Sequence, residues 1–134
     1  MIQLEHVSFR YAEMETKALE NISLQVDRGK CVVLSGSSGC GKTTITRLIN
    51  GLIPSFYSGE LSGTIKIDGE DIAGLEPHEL ATKIGSVFQN PRTQFFNTDT
   101  DSEIVFGMEN CGISYEEMHC RYEETVNNLD LENL

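Results

Sequence analysis

The sequence predicts an α/β fold, and three features carry that prediction. Cys31-Val32-Val33-Leu34 is a continuous apolar run, of the kind that forms a strand buried on both faces. Behind it, Ile45, Leu48, Ile49 and Leu52 recur at helical spacing, which starts a helix near Lys42. Ahead of both, Ile2, Leu4, Val7 and Phe9, and then Ile22, Leu24 and Val26, alternate with polar residues. That alternation marks half-buried strands, here an antiparallel pair joined by a loop around residues 13–17. A phase slip near His6 predicts a bulge in the first strand. The chain of 134 residues, 39% hydrophobic and 23% charged, is ordinary for an α/β protein. Its length suits one domain or part of one, able to bury about two-thirds of its unfolded surface.

The junction between the apolar run and the helix is Gly36-Ser37-Ser38-Gly39-Cys40-Gly41-Lys42-Thr43. Glycine, four residues, then Gly-Lys-Thr is the pattern of a phosphate-binding loop, and strand and helix flank it as that loop requires. A strand–turn–helix junction aims several backbone N–H groups at one spot, where the helix dipole adds partial positive charge. Glycines let the backbone come close to the anion. Lys42 is expected to reach the terminal phosphates, and the Thr43 hydroxyl to ligand a magnesium ion that bridges them. With Thr44, these residues form the candidate nucleotide-binding set. The bland alternative is a glycine-rich turn with a chance lysine; the matching strand and helix argue against it.

The remaining elements follow in order. Asp27-Arg28-Gly29-Lys30 is a turn into the apolar run. The helix from Lys42 ends at Asn50-Gly51, with Pro54 beyond. Residues 54–63 read as loop, and residues 64–69 as a short strand ending in an Asp-Gly turn. Pro77 stands at a helix start, with Leu80 and Ile84 facing one way. Ser86-Val87-Phe88 reads as a second buried strand, stopped by Gln89-Asn90-Pro91. Thr100 with Glu103, and Ser114 with Glu117, fit helix capping boxes. The second opens an amphipathic helix with the stripe Tyr115, Met118, Tyr122, Val126 and Leu129, and Glu117 can pair with Arg121. A division into 1–98 and a helical segment 99–134 is expected, without repeats or low-complexity sequence.

Charge and cysteine usage narrow the function classes. The net charge of −11 argues against nucleic-acid binding. From Asp99 onward ten carboxylates face one cation, Arg121, so −9 of that charge lies in the last 36 residues. Solvated helix surface accounts for such a run. No apolar stretch approaches the ~20 residues of a membrane span, and no basic signal segment opens the chain, so a cytoplasmic protein is expected. Cysteines 31, 40, 111 and 120 have neither zinc nor Cys-x-x-Cys spacing, and reduced thiols are expected. Cys31 is expected to be buried in its strand, and Cys40, beside Lys42 in the loop, to be the thiol that bound nucleotide shields.

Phe9-Arg10-Tyr11, the phosphate loop, Gly63-Thr64-Ile65-Lys66-Ile67-Asp68-Gly69 and Gln89 come in the order and spacing of an ATP-binding cassette (ABC) ATPase domain. The chain resembles that family along essentially its whole length. Val87-Phe88-Gln89-Asn90-Pro91, Gln94-Phe95-Phe96 and residues 103–110 resemble its energy-coupling-factor type, which drives uptake of vitamins and transition-metal ions. Residues 51–57 and 59–63 are similar to the first cassette of fused two-cassette members. The resemblance implies a P-loop ABC ATPase fold, here incomplete, with an N-terminal antiparallel β subdomain, parallel core strands and the start of a helical subdomain. It implies ATP and Mg2+ as cofactors, a second ABC cassette and an integral membrane transporter subunit as partners, and a place on the inner face of the cell membrane. Tyr11 matches the aromatic that stacks on adenine, its alternative being an edge-strand packing residue. Gln89 matches the glutamine that reaches magnesium and the attacking water, its alternative a polar strand end. Lys42 and Gln89 are thus the candidate catalytic residues. Phe95 and Phe96 fall where the groove for the membrane subunit begins, and a core role suits them equally.

Three of the family's later motifs do not occur in the chain: the Leu-Ser-Gly-Gly-Gln type signature, an apolar strand ending in Asp-Glu, and a following histidine. His6, His78 and His119 precede that histidine's place and read as surface or packing residues. Leu134 falls where the family continues into its signature, so the chain reads as the front half of a cassette. The phosphate-loop strand is then expected to lack a neighbour on one side. The function implied is the ATP-binding subunit of an importer; the alternative is a truncated nucleotide-binding fragment without ATPase activity.

Overall fold

A computed structural model gives the fold, and it describes residues 1–131. The last residues of the expected helical segment, Leu134 among them, lie outside the described residues. The chain divides into two compact units, residues 1–86 and the residues from 87 onward.

In the first unit, β1 (Ile2–Tyr11), β2 (Leu19–Val26), β3 (Gly59–Ile67) and β4 (Glu70–Asp71) form one antiparallel sheet in the order β2-β1-β3-β4. The alternating pattern sets the register, with Ile2 opposite Val26 and Leu4 opposite Leu24. The expected slip at His6 is real. Its φ is 52°, the register shifts between Leu4 and Val7, and its amide donates to Ser23 Oγ at 3.1 Å. β3 is longer than expected, because the glycine- and serine-rich residues 59–63 pair with β1 instead of forming loop. Gly59 is required there: a Cβ would lie 2.3 Å from the Arg10 carbonyl oxygen and 2.6 Å from the tip of the Phe9 ring. The β3–β4 turn is Asp68-Gly69, with φ of 50° and 86°, the two positive values of a two-residue hairpin turn.

α1 (Lys42–Ile49) stops at Asn50, as its sequence predicts, with Gly51 left-handed behind it. The short α2 (Leu52–Ser55) follows and buries Ile53. α3 (Pro77–Ala81) begins at its proline; the Glu76 amide donates to the Glu79 carboxylate at 2.8 Å, and Leu80 is buried. The core is Leu4, Val7, Phe9, Leu19 and Ile65 from the sheet, with Leu48 of α1 and Ile53 of α2 laid against them.

Two expected strands do not form. Residues 31–34 and 86–88 carry no ladder, and Val33 and Val87 are 83% and 88% exposed. A strand is held by a hydrogen-bonded neighbour, and among the described residues every ladder belongs to β1–β4. The parallel part of the predicted sheet is therefore not assembled here. Cys31 is correspondingly exposed, against the expectation of burial.

In the second unit, a turn of 3-10 helix (Pro91–Thr93) precedes α4 (Thr100–Asn110) and α5 (Tyr115–Asn128). The cap of α4 is Asp99 and not Thr100, since the Asp99 carboxylate accepts from the Ser102 amide at 2.8 Å. Glu103 is thereby released from a capping box. It accepts instead from the amides of Phe96 (3.1 Å) and Asn97 (2.9 Å), fastening the preceding loop to the helix. Ser114 caps α5 as expected, and Glu117 pairs with Arg121. The apolar stripe of α5 lies only in part against α4, with Tyr115 and Leu129 exposed.

Candidate nucleotide-binding site

The loop of residues 36–41 stands exposed between residues 31–34 and α1. Its last residue, Gly41, is the N-cap of α1 with φ 93°. A side chain there would be strained in the left-handed region and would meet Leu19 Cδ2 at 2.7 Å and the Ala18 carbonyl at 2.8 Å. The start of β2 thus presses the loop into shape. At Gly36 a Cβ would sit 2.7 Å from Cys40 Sγ, so the bend leaves room for backbone alone. Because the N-cap is glycine, no side chain caps α1, and its first turn holds no acid. The open donors and the positive dipole end of α1 face the loop without a competing carboxylate.

Lys42 brings the formal charge. Its ammonium donates to the carbonyls of Gly36 (2.9 Å) and Ser37 (2.7 Å) and lies 3.4 Å from Cys40 Sγ. The cation therefore sits across the curved loop, where phosphate oxygens would meet both it and the first-turn amides. Thr43 is exposed on that turn, while Thr44 is the buried polar residue of the core side. These donors fit a phosphate chain, and a hydroxyl at Thr43 fits a hard cation that travels with it.

Tyr11 joins this loop through Thr44. Its hydroxyl lies 3.1 Å from Thr44 Oγ1 and accepts from Arg47 Nη1, also at 3.1 Å. Its ring packs edge-on against Phe9 (4.8 Å) and Tyr57 (6.3 Å). Tyr11, Thr44, Arg47, Phe56 and Tyr57 are among the residues lining a cavity of about 600 Å³ at the end of the β1–β3 ribbon. Residues 36–44 and Tyr11 thus come together in the first unit, whereas Gln89 is exposed in the second. Arg47 and Tyr57 were not among the candidates. Arg47 was detectable as the residue one helical turn beyond Thr44.

The family described as ABC transporter matches residues 19–134. Provisionally named ABC transporter ATP-binding proteins align over the full chain in Treponema denticola, at 52% identity, and in Methanosarcina mazei, at 36%. The chain spans 27% and 23% of their lengths. Among solved structures, a dimeric bacterial ABC transporter cassette superposes with a TM-score of 0.71 at 29% identity, over 99% of this chain and 59% of that one. A post-hydrolysis dimer of a cassette bound to ADP and phosphate superposes at 0.67 and 28% identity, with the same coverage.

Proposed function

The chain belongs to the ABC transporter family, and on that premise we propose that it is the N-terminal part of an ATP-binding subunit of an importer of energy-coupling-factor type. One observation carries the nucleotide reading: the Lys42 ammonium lies across a glycine-built loop that opens an acid-free helix start. Lys42 would exchange its carbonyl partners for terminal phosphate oxygens, the α1 amides would hold the same group, and Tyr11 would offer its ring to the base. Magnesium, when bound with the triphosphate, neutralises phosphate charge; Thr43 and Gln89 are the residues proposed to ligand it. Hydrolysis, with Lys42 and Gln89 in catalytic roles, is proposed for the whole protein, of which this chain is a part.

The partners proposed are a second cassette and an integral membrane subunit, with the protein peripheral on the cytoplasmic face of the membrane. No helix among the described residues is long and apolar enough to cross a membrane. The exposed Phe88, Phe95 and Phe96 of the second unit support a membrane-subunit surface, because exposed aromatic clusters mark interaction sites. Residues 99–131 are proposed as the start of the helical subdomain.

Calorimetric titration of the chain and of Lys42→Ala with ATP and GTP, with and without magnesium, tests the nucleotide assignment. Loss of a charged hydrogen-bonding partner, of about 1.5–3 kcal/mol, should weaken binding by roughly ten- to hundredfold. ATP and GTP should bind alike, because stacking does not read base edges. Bound nucleotide should shield Cys40 from alkylation and leave Cys111 and Cys120 unchanged. Strong guanine selectivity, or equal affinity of Lys42→Ala, would sink the assignment.

A further inference from the structure

We infer that Arg47 is a positioning residue for the nucleotide's base, acting through Tyr11, with Tyr57 as the surface that holds Arg47 in place. This inference rests on the nucleotide reading above. Three geometric facts support it. Arg47 Nη1 donates to the Tyr11 hydroxyl at 3.1 Å. The guanidinium carbon stands 4.0 Å above the centre of the Tyr57 ring, a cation–π contact that helps hold the guanidinium in place. The Tyr11 hydroxyl lies 3.1 Å from Thr44 Oγ1, and Thr44 is only 6% exposed, two residues after Lys42.

An arginine donates only, so the Tyr11 oxygen accepts from it and has its own hydrogen left for Thr44. The charged donor polarises that hydroxyl and strengthens the second bond. The chain Arg47–Tyr11–Thr44 thereby ties the aromatic ring to the first turn of the helix that carries the phosphate loop. Ring and loop are held at a set spacing before a ligand arrives, which lowers the ordering cost of binding both ends of a nucleotide. The cavity beside this chain, about 600 Å³, falls in the size range of small-molecule sites. Its aromatic walls, Tyr11, Phe56 and Tyr57, suit the face of a base.

The test compares affinity for magnesium ATP with affinity for magnesium tripolyphosphate, which has the phosphates without base or sugar. The proteins are the chain, Arg47→Met, Tyr11→Phe, their double variant and Lys42→Ala. Loss of a charge-assisted hydrogen bond should weaken ATP about tenfold in Arg47→Met and leave tripolyphosphate within about twofold. Tyr11→Phe keeps the ring and loses the hydroxyl, so it should weaken ATP similarly. Because both act through one bond, the double variant should lose less than the product of the single losses. Retained tripolyphosphate binding also shows that each variant has folded its loop. Equal weakening of both ligands, unchanged ATP binding, or multiplicative losses would overturn the inference. If Lys42→Ala binds ATP and tripolyphosphate as the parent chain does, the phosphate-loop reading falls and this inference with it. If Lys42→Ala loses both ligands while Arg47→Met binds as the parent does, only the role of Arg47 falls.

Discussion

Asp68 shows how much a single exposed carboxylate can be tuned by its place in the fold. It sits in the left-handed turn after β3, where the Arg28 guanidinium (Nη2 to Oδ2, 3.0 Å) and the N-terminal ammonium of Met1 converge on it. Hydrogen bonding from Arg28, and then from the N-terminus, lowers its pKa from 3.8 to about 2. A carboxylate whose pKa is depressed by folding stabilises the native state fully above its unfolded value. It loses that contribution as pH falls through the folded value. The acid limb of a thermal-stability profile should therefore carry an Asp68 component between about 3.8 and about 2. Asp68→Asn should flatten that component and lower the melting temperature most at neutral pH, where the contribution is fully present, by a modest amount because exposed pairs are screened. An unchanged acid limb in Asp68→Asn would remove Asp68 from the account.

At the scale of elements, α1 does two jobs with two faces. Its first turn supplies the backbone donors and Lys42 to the loop, and its last turn plants Leu48, 1% exposed, among Leu4, Phe9, Ile53 and Ile65. Position of the loop and integrity of the core are thus coupled through eight residues of helix. Leu48→Ala should cost about 2–5 kcal/mol, the transfer of the lost side chain plus the cavity left behind. Measured by chemical denaturation, a loss under about 1 kcal/mol would mean that the site collapses freely or that α1 is not the core's lid. Ile45, half-buried against the same core, supports α1 one turn earlier, and so limits the collapse.

Across the whole molecule, apolar burial is unevenly spread. All the fully buried side chains among the described residues belong to the unit ending at residue 86. Residues 31–34, in contrast, present unpaired backbone beside exposed Val32 and Val33. An exposed apolar segment without a ladder is a template for another chain. Sedimentation of this chain should accordingly show concentration-dependent association, and Val33→Lys should weaken it. A monomer at every concentration, in parent and variant alike, would contradict this reading of the segment.

What the sequence determined by itself is what neighbours along the chain decide. The start and stop of α1, the slip at His6, the proline start of α3, the Ser114 cap and the glycine loop with its lysine all follow from interactions a few residues long. Local steric and hydrogen-bonding rules are enough for them. Asp99 outcompetes Thr100 as a cap over the same short range, whereas Gly59 is strand and not loop because of a distant partner, the Phe9 ring of β1, for which it makes room. The tertiary structure decided what depends on partners distant in sequence. Apolar runs at 31–34 and 86–88 have the composition of buried strands, yet a ladder needs a neighbour that composition cannot supply. Tyr11 likewise has the same alternation whether or not anything meets its hydroxyl. Only folding brings Thr44 and Arg47 to it from 33 and 36 residues away, because the β1 end and α1 are packed on one core.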